Sequence, residues 1–314
     1  MKEVFCIGEL LIDFVDEEQV GDLSKVETFT KKPGGAPANV AAAVAKLGGK
    51  GHFVGAVGYD AFGDYLLSVL KENGVTIELA QRSGKFTTMA FVSLDKSGER
   101  SFEFSRGADE DLQYNAELKN RFENNVVHFG AATAFLGGSL NEAYERYLSD
   151  ALAMGSYISF DPNFRDALWG GGEKVFIEKC MPFIAKSHLC KFSMEEAKLL
   201  SGKTDIVEAS EFFHEVGVPL VVITLGGEGT YVSSPKLKKI IPSIEVSQVD
   251  TTGAGDAFIG CLLQQISTLE NPSQVLEDSI LLENMIKNAN KAGAITTTNF
   301  GAISALPSKE KVFG

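Results

Sequence analysis

The chain has 314 residues, of which 44% are apolar and 23% are charged, as is ordinary for a soluble globular protein with one large or two small α/β domains. Its net charge of −13 argues against nucleic acid and an anionic membrane surface as partners, because both require a basic face. The four scattered cysteines, Cys6, Cys180, Cys190 and Cys261, have neither metal-site spacing nor a disulfide framework. They indicate buried thiols in a reducing compartment. Since the first residues also lack a leader pattern, we expect a cytoplasmic protein.

Short apolar segments alternate with helical segments along most of the chain. Val4 to Ile7 is the first predicted strand, and Leu10 to Val15 is expected to continue it, with Asp13 as an unexpected charge in the run. Further strands are predicted at 52–57, 126–129, 157–160, 189–192 and 220–224. This alternation predicts an α/β fold with a doubly wound, mostly parallel sheet flanked by helices. Ligands then bind beyond the carboxyl ends of the strands.

A break rich in glycine and proline, Pro33 to Pro37, precedes a predicted helix of small residues from Ala38 to Leu47. So many alanines predict a helix that packs closely against a sheet. Asn39 lies in the first turn of this helix. Its side chain there either faces a ligand or caps the helix.

A hairpin is predicted from Thr87 to Leu94 and Arg100 to Phe104, with Asp95 to Gly98 as its turn. Polar and apolar residues alternate from Ser101 to Phe104, which indicates a sheet with one exposed face. An antiparallel hairpin inside a parallel α/β pattern predicts a small β-sheet lid that excludes water from a site.

The segment Asp250 to Phe258 is the strongest candidate for chemistry. Gly253, Ala254 and Gly255 lead directly into an apolar helical pattern, so the first N–H groups of that helix have no partner within it. Together with the helix dipole, they form a site for an anion. Asp256 in the same turn indicates a base beside a phosphoryl group, and we expect it to be ionised there. A helix start with an acidic first turn explains the same residues.

Two common phosphate motifs are absent from the sequence. Gly8-Glu9-Leu10 lacks the second glycine of a dinucleotide fingerprint. Gly202-Lys203-Thr204 follows a predicted helix, and Ala197 stands where a P-loop has its first glycine. Thr224 to Gly229 fits either a phosphate or base contact or a plain turn. The segment Asp161 to Arg165 follows a strand. The guanidinium of Arg165 either binds a phosphate or lies in a surface loop.

With these motifs, the chain resembles the ribokinase-like (PfkB) sugar kinases over nearly its whole length, and within that family it is most similar to the fructokinases. The segments that carry the resemblance are Pro33 to Val40, Leu47 to Gly49, Gly55 to Gly63 and Asp250 to Phe258. Further segments typical of fructokinases are Gly8 to Phe14, Asp161 to Arg165 and Leu168-Trp169.

The resemblance implies a single ribokinase-like α/β domain over residues 1–314, with lid strands inserted at about 13–32 and 86–107. It implies an ATP-dependent kinase that phosphorylates the primary hydroxyl of a sugar, with D-fructose to fructose 6-phosphate favoured. Its cofactors would be ATP and Mg²⁺, with K⁺ as a further ion. Its partners would be small molecules, and a homodimer would form through the lid.

The resemblance also assigns roles to individual residues. Asp256 would be the general base, Gly253, Ala254 and Gly255 would hold the phosphoryl group through backbone N–H groups, and Arg165 would share its charge. The sugar would be bound by Asp13, Gly34, Gly35, Asn39 and Arg106. ATP would lie along Ser193, Thr224, Gly226, Gly229 and Asn290, with Glu196 near Mg²⁺ through water. A monovalent cation would be held by Asp250, Thr252, Asn299 and Gly301.

The sequence departs from the family pattern at two places. Ser193 to Glu196 replaces the usual Asn-x-x-Glu, and the segment around Arg106 differs from the common fructokinase spacing. Two alternatives to a fructokinase remain. A 2-keto-3-deoxygluconate kinase or another small-sugar kinase shares the Asp-Pro-Asn, Arg and Leu-Trp pattern. A catalytically silent sugar- or nucleotide-binding regulator would use the same scaffold, although it need not keep Asp256.

Overall fold

The computed structural model describes residues 1–17, 20–94 and 100–314, and at Leu94 and Arg100 it describes the backbone alone. The strands are β1 Glu3–Ile7, β2 Leu11–Asp16, β3 Phe29–Gly34, β4 Lys50–Val54, β5 Ala56–Gly58, β6 Gln81–Ser83, β7 Met89–Leu94, β8 Arg100–Ser105, β9 Val126–Gly130, β10 Tyr157–Asp161, β11 Leu189–Ser193, β12 Leu220–Thr224, β13 Thr230–Ser234 and β14 Leu237–Ile241. The helices are α1 Ala36–Lys46, α2 Ala61–Glu72, α3 Ser139–Ala153, α4 Asp166–Trp169, α5 Glu173–Ile184, α6 Met194–Ser201, α7 Ile206–Val216, α8 Ala254–Ser267, α9 Ser279–Thr296 and α10 Lys309–Phe313.

The main sheet has the strand order β14-β13-β12-β11-β10-β9-β1-β4. Neighbours from β12 through β4 pair in parallel, whereas β13 and β14 add an antiparallel edge. Parallel strands need crossover connections. Here helices supply them, which explains the alternation in the sequence. The predicted doubly wound, mostly parallel sheet is confirmed.

A second sheet has the order β3-β2-β7-β8. The prediction that Leu10 to Val15 continues the first strand is wrong. Gly8 adopts a φ of 148°, and after this bend β2 leaves the main sheet and pairs with β3 and β7 instead. Strands β7 and β8 pair antiparallel, which confirms the predicted hairpin. Its predicted turn, Asp95 to Gly98, lies outside the described residues.

Helices cover both faces of the main sheet. Apolar side chains of α1, α8 and α9 form one buried cluster against it, and those of α3, α5, α6 and α7 form another. The small residues of α1 allow very close packing. A methyl group at Gly51 in β4 would stand 2.4 Å from the carbonyl oxygen of Ala41, and one at Gly260 in α8 would stand 2.5 Å from Cβ of Ala43. The alanines therefore place α1 tightly between the sheet and α8.

This layering gathers polar residues at one edge of the main sheet. Glu9 follows β1, Asp161 ends β10, Ser193 ends β11 and Thr224 ends β12. The first turns of α1 and α8 lie at the same edge. The four cysteines are free and buried, as predicted. Within the described ranges, no helix combines the length and the apolar character needed to cross a membrane.

Candidate active site

The centre of the site is a contact between the beginnings of α1 and α8. Asn39 Nδ2 donates a hydrogen bond to Asp256 Oδ2 at 2.8 Å. The two residues are 4% and 9% exposed, respectively. The backbones of α1 and α8 approach closely because the small residues Ala43 and Gly260 face each other between the two helices. Two segments that the sequence marked separately therefore form one site.

The turn before α8 leaves N–H groups free. Gly253 has a φ of 77°, a left-handed conformation that favours glycine. The N–H of Ala254 donates to the carbonyl oxygen of Thr251 at 3.2 Å, and the N–H of Ala257 donates to that of Gly253 at 2.8 Å. Among the described residues, no acceptor faces the N–H groups of Gly253, Gly255 and Asp256. These three donors, at the positive end of the helix dipole, are therefore free to bind an anion.

The surroundings of Asp256 set its ionisation. Burial raises the pKa of Asp256, while the hydrogen bond from Asn39 and the charges of Lys191 and Arg165 oppose the rise. The sequence led us to expect an ionised residue at a helix start, where the dipole lowers a carboxyl pKa. Burial outweighs the opposing interactions. A carboxylate whose pKa moves towards neutrality is a more effective general base.

Of the residues predicted to bind the sugar, Asp13 and Gly34 lie on the second sheet, and Gly35 and Asn39 lie at the start of α1. A methyl group at Gly34 would stand 2.1 Å from Oδ2 of Asp13, so only a glycine leaves that carboxylate accessible. Burial raises the pKa of Asp13 to about 6, although the positive charges of Arg165 and Lys32 oppose the rise. Gly35 caps α1 with a φ of 108°. The geometry places Asp13 and Asp256 close enough for their charges to interact.

Arg165 lies at the mouth of the site. It is exposed, and its Nη1 donates to the carbonyl oxygen of Phe164 at 3.1 Å. Its positive charge acts on both Asp13 and Asp256. The guanidinium therefore faces the site while keeping most of its donors for other groups.

Lys191 is a site residue that the sequence analysis missed. It is 6% exposed, and its Nζ lies 3.0 Å from Oδ2 and 3.3 Å from Oδ1 of Asp161. Burial alone would lower the pKa of Lys191, but the carboxylates of Asp161 and Glu196 outweigh it and raise that pKa. A signal was present, because Lys191 is a charged residue inside an otherwise apolar strand.

Three residues of the site carry a buried polar atom that has no hydrogen-bond partner among the described residues. They are Glu9 Oε2, Asn39 Oδ1 and Asn163 Oδ1. Glu9 also accepts the N–H of Ala36 on its Oε1 at 2.9 Å, so it fixes the start of α1. Asn163 has a φ of 49°, which is uncommon for a residue other than glycine. Unpaired buried atoms and a strained backbone are features of functional sites.

Ser193 and Glu196 close the amino end of α6 by a reciprocal capping box. Ser193 Oγ accepts the N–H of Glu196 at 3.1 Å, and Glu196 Oε2 accepts the N–H of Ser193 at 2.7 Å. Glu196 Oε1 accepts the N–H of Phe164 at 2.8 Å. Glu196 thereby ties α6 to the segment that carries Arg165.

The other residues assigned to ATP lie beside the last strands of the main sheet. Thr224 donates to the carbonyl oxygen of Phe192 at 3.2 Å. Asn290 is 6% exposed and donates to the carbonyl oxygens of Ile241 and Pro242 at 2.9 and 3.3 Å, while it accepts the hydroxyl of Thr230. Asn290 thus holds the strand edge in place from α9.

Gly226 begins a short 3₁₀ turn after β12, and Gly229 follows the end of that turn. Around Gly226 there is open space for an added methyl group, whereas one at Gly229 would stand 2.1 Å from the carbonyl oxygen of Ile241. The first glycine leaves the turn accessible, and the second allows the turn to pack on β14.

Asp250 joins two loops near the anion site. Its Oδ1 accepts the N–H and hydroxyl of Thr252 at 3.0 and 2.7 Å, and its Oδ2 accepts the N–H of Gly301 at 2.8 Å. The side chain of Asn299 is exposed and donates to the hydroxyl of Thr298 at 3.1 Å. The four residues predicted as a cation site therefore lie on two loops that Asp250 connects.

Arg106 makes its contacts with protein groups. Its guanidinium donates to the carbonyl oxygens of Thr133 and Gly137 at 3.0 Å each, and to Asp109 at 3.3 Å. Its side chain is 15% exposed. These contacts hold the end of β8 against the loop that follows β9. Sugar binding by Arg106 stays a prediction.

Within the described part of the chain, no cluster of three or more His, Cys, Asp or Glu side chains is able to hold an ion. Mg²⁺ in kinase sites keeps several waters and binds one or two carboxylates together with substrate phosphates. Glu196, with both oxygens already accepting N–H groups, fits contact through water.

Comparisons with known proteins agree with this geometry. The family model "pfkB family carbohydrate kinase" matches residues 1–309. Fructokinase-1 of Oryza sativa subsp. japonica is 39% identical over 317 residues, spanning 98% of this chain and 96% of that protein.

Two solved structures share the fold. A fructokinase double mutant from Vibrio cholerae O395, in a form with bound fructose, ADP and potassium ion, aligns with a TM-score of 0.87 at 29% identity over 100% of this chain and 97% of that one. A fructokinase from Xylella fastidiosa with bound ATP aligns with a TM-score of 0.88 at 29% identity over 99% of this chain and 97% of that one. The chain therefore belongs to the pfkB family of carbohydrate kinases.

Proposed function

We propose that this kinase transfers the γ-phosphoryl group of ATP to the primary hydroxyl of D-fructose, giving fructose 6-phosphate. The observation that carries the proposal is the hydrogen bond between Asn39 and Asp256. It joins the helix that begins at the sugar side of the site to the turn that offers N–H groups to an anion. Support for fructose comes from the relatives, which are named fructokinases.

Asp256 acts as the general base in this proposal. It removes the proton of the sugar hydroxyl, and Asn39 orients its carboxylate through Oδ2. The N–H groups of Gly253, Gly255 and Asp256 stabilise the charge that develops on the transferring group, and Arg165 adds its charge from the open side. Fixed donors of this kind need no reorganisation during the reaction. Such positioning and charge stabilisation are the main requirements of phosphoryl transfer.

ATP, Mg²⁺ and a monovalent cation are the proposed cofactors. ATP lies along Ser193, Thr224, Gly226, Gly229 and Asn290. When bound, Mg²⁺ neutralises phosphate charge, with Glu196 in contact through water. Asp250, Thr252, Asn299 and Gly301 hold the monovalent cation, for which K⁺ is the candidate because the Vibrio cholerae structure contains potassium.

Ion dependence is tested with two variants. The fructose-dependent rate is expected to rise with added KCl and MgCl₂. Asp250→Asn should weaken the response to KCl, and Glu196→Gln should raise the Mg²⁺ concentration needed for half-maximal rate. If both variants respond to the two salts as the wild type does, the ion assignments fail.

The whole chain, residues 1–314, is proposed to form one catalytic domain with the small sheet as its lid. The register places Asp13, Phe102 and Phe104 on one face of that sheet. The two phenylalanine rings stack with centroids 6.1 Å apart and remain half-exposed. A second copy of the chain would cover this face in a homodimer. Sedimentation equilibrium tests this, and a monomer at micromolar concentration contradicts it.

Sugar specificity is tested by a coupled ADP-release assay with fructose, 2-keto-3-deoxygluconate, ribose and adenosine. We expect the highest kcat/KM with fructose. One observation favours 2-keto-3-deoxygluconate as the second candidate: Arg165 is exposed beside Asp13 and could pair with a substrate carboxylate. A higher kcat/KM for that acid would replace fructose as the assigned substrate. If none of these substrates causes ATP to be consumed, a catalytically silent regulator is favoured.

A further inference from the structure

A buried positive charge lies against the anion turn, Gly253 to Asp256, although stabilisation of a phosphoryl group by backbone N–H groups does not require it. Lys191 is the one lysine or arginine that is buried among the residues the structure describes. A methyl group at Gly255 would stand 3.1 Å from its Nζ. The ammonium group therefore lies directly against the first turn of α8, and Asp161 holds it there with both carboxylate oxygens.

Such a pair needs an explanation, because well-packed apolar residues often replace a buried ion pair without loss of stability. On its strand, Lys191 is flanked by buried Cys190 and Phe192, so an apolar residue would suit the local pattern. The retained charge points to a role in the site.

The charges around the turn show what that role is. Carboxylates that interact with the ammonium lie on three other elements: Asp161 on β10, Glu196 on α6 and Asp256 on α8. Groups that act on Asp256 are Asn39, Lys191, Arg165 and Glu196, and its charge also reaches Glu9, Asp13 and Asp161. Negative charge therefore dominates around Asp256. Of its two positive neighbours, Arg165 is exposed and Lys191 is buried.

We propose that Lys191 is a positioning residue for the transfer: its ammonium group, fixed by Asp161 beside Gly255, keeps the Asp256 carboxylate in its charged form. The proposal rests on the proposed function, in which Asp256 is the base. Burial favours protonation of Asp256, and the Lys191 charge opposes this. A base that is protonated at working pH cannot accept the hydroxyl proton. Lys191 thereby extends the activity of the enzyme towards lower pH.

The test is the pH dependence of kcat/KM for the sugar substrate, measured for four variants of the full chain. The acid limb is the pH range in which kcat/KM falls as the base becomes protonated. In Lys191→Met, loss of one nearby positive charge raises the pKa of Asp256, so the acid limb moves up by about 1–3 pH units. Activity then recovers towards the wild-type value at high pH. Lys191→Arg keeps the charge and is expected to keep the limb near its wild-type position.

Asp161→Asn is the matched control, because it breaks the same ion pair from the other side. It keeps the ammonium group and removes a carboxylate, so the acid limb stays or moves to lower pH. A role limited to structural pairing would move both single variants alike. The double variant Asp161→Asn/Lys191→Met removes both charges and leaves no unpaired carboxylate. Its limb is still expected above that of Asp161→Asn, which keeps the test valid where Lys191→Met folds poorly.

Two outcomes overturn the proposal. One is a Lys191→Met enzyme whose kcat/KM is lowered equally at every pH, which would show direct contact with the phosphate or a structural defect. The other is equal acid limbs in the double variant and Asp161→Asn. Failure of the proposed function is distinguished by Asp256→Asn. If that variant is active, Asp256 is not the base, whereas an inactive Asp256→Asn with unshifted Lys191 variants contradicts this inference alone.

Discussion

Asn39 and Asp256 are 217 positions apart in the sequence, yet the amide of one donates to the carboxylate of the other at 2.8 Å. Both belong to first turns of helices that pack on the same face of the main sheet. The hydrogen bond fixes the proposed base relative to the sugar side of the site. Asn39 Oδ1 has no partner within the described ranges of the chain, and that atom is thus available to a substrate hydroxyl.

Removing the Asn39 amide should impair the proposed base. Asn39→Ala deletes a hydrogen bond that holds the pKa of Asp256 down against burial. We expect the acid limb of kcat/KM to rise by about 1 pH unit and the free energy of unfolding to fall by about 1.5–3 kcal/mol, as for a lost hydrogen bond to a charged group. A pH profile and urea unfolding measure the two effects.

The control is Asn73→Ala, which deletes a side-chain hydrogen bond of the same 2.8 Å length, to the carbonyl oxygen of Val69. It should lower stability without moving the acid limb. An unchanged limb in Asn39→Ala would show that the Asn39 contact does not tune Asp256.

Gly255 leaves little room for a side chain. Gly255→Ala would place a methyl group 3.1 Å from Nζ of Lys191, so either the ammonium group or the first turn of α8 must shift. The shift needed is a few tenths of an ångström. Since about 1 Å of misplacement in a catalytic group costs on the order of 100-fold in rate, we expect a smaller, several-fold fall in kcat. Steady-state kinetics measure this.

Gly84→Ala serves as its control, because Gly84 is exposed and an added methyl group there meets open space. This variant should keep the wild-type kcat. Equal kcat values in Gly255→Ala and Gly84→Ala would contradict the assigned geometry of the anion turn.

Glu9 makes stability depend on pH. Burial raises its pKa from 4.5 to about 7, against the opposing hydrogen bonds from backbone N–H groups. The folded protein therefore holds a proton on Glu9 that the unfolded chain releases between about pH 4.5 and 7. The contribution of this proton to the free energy of unfolding is complete below about pH 4.5 and is lost as the pH rises through 7. The loss is at most about 3 kcal/mol.

Glu9→Gln removes this dependence. The free energy of unfolding is measured at pH 5 and pH 8 for both proteins. The difference between Glu9→Gln and the wild type should favour the variant more at pH 8 than at pH 5. Glu195→Gln, at an exposed position, controls for loss of one carboxylate. A stability difference between Glu9→Gln and wild type that is the same at both pH values would contradict a buried, protonated Glu9.

Local chemistry allowed much of this fold and site to be predicted. The βα alternation predicted the parallel sheet, and the glycine turn before α8 predicted the free N–H groups at the start of that helix. Alanines predicted the tight packing of α1. Each of these features depends on the pattern of residues near one another in the sequence, so it can be predicted without knowledge of the fold.

The rest depends on contacts between distant segments. Lys191 was missed because the sequence shows only an isolated lysine in an apolar strand. Its place in the site depends on Asp161 and Gly255, which lie beside it only in the folded chain. Glu9 was considered only within short motifs of neighbouring residues, yet its carboxylate holds the start of α1. The course of β2 was also wrong, because an apolar run does not reveal which sheet its strand joins.

The most direct test of the account is the fructose-dependent rate of Asp256→Asn measured beside its ATP affinity. The isosteric amide should preserve the fold, the hydrogen-bonding site at Asn39 and ATP binding by calorimetry. It cannot accept the hydroxyl proton, so we predict that kcat falls by about 100- to 10,000-fold. A variant that binds ATP and turns over fructose at the wild-type kcat would contradict the central claim that Asp256 is the catalytic base.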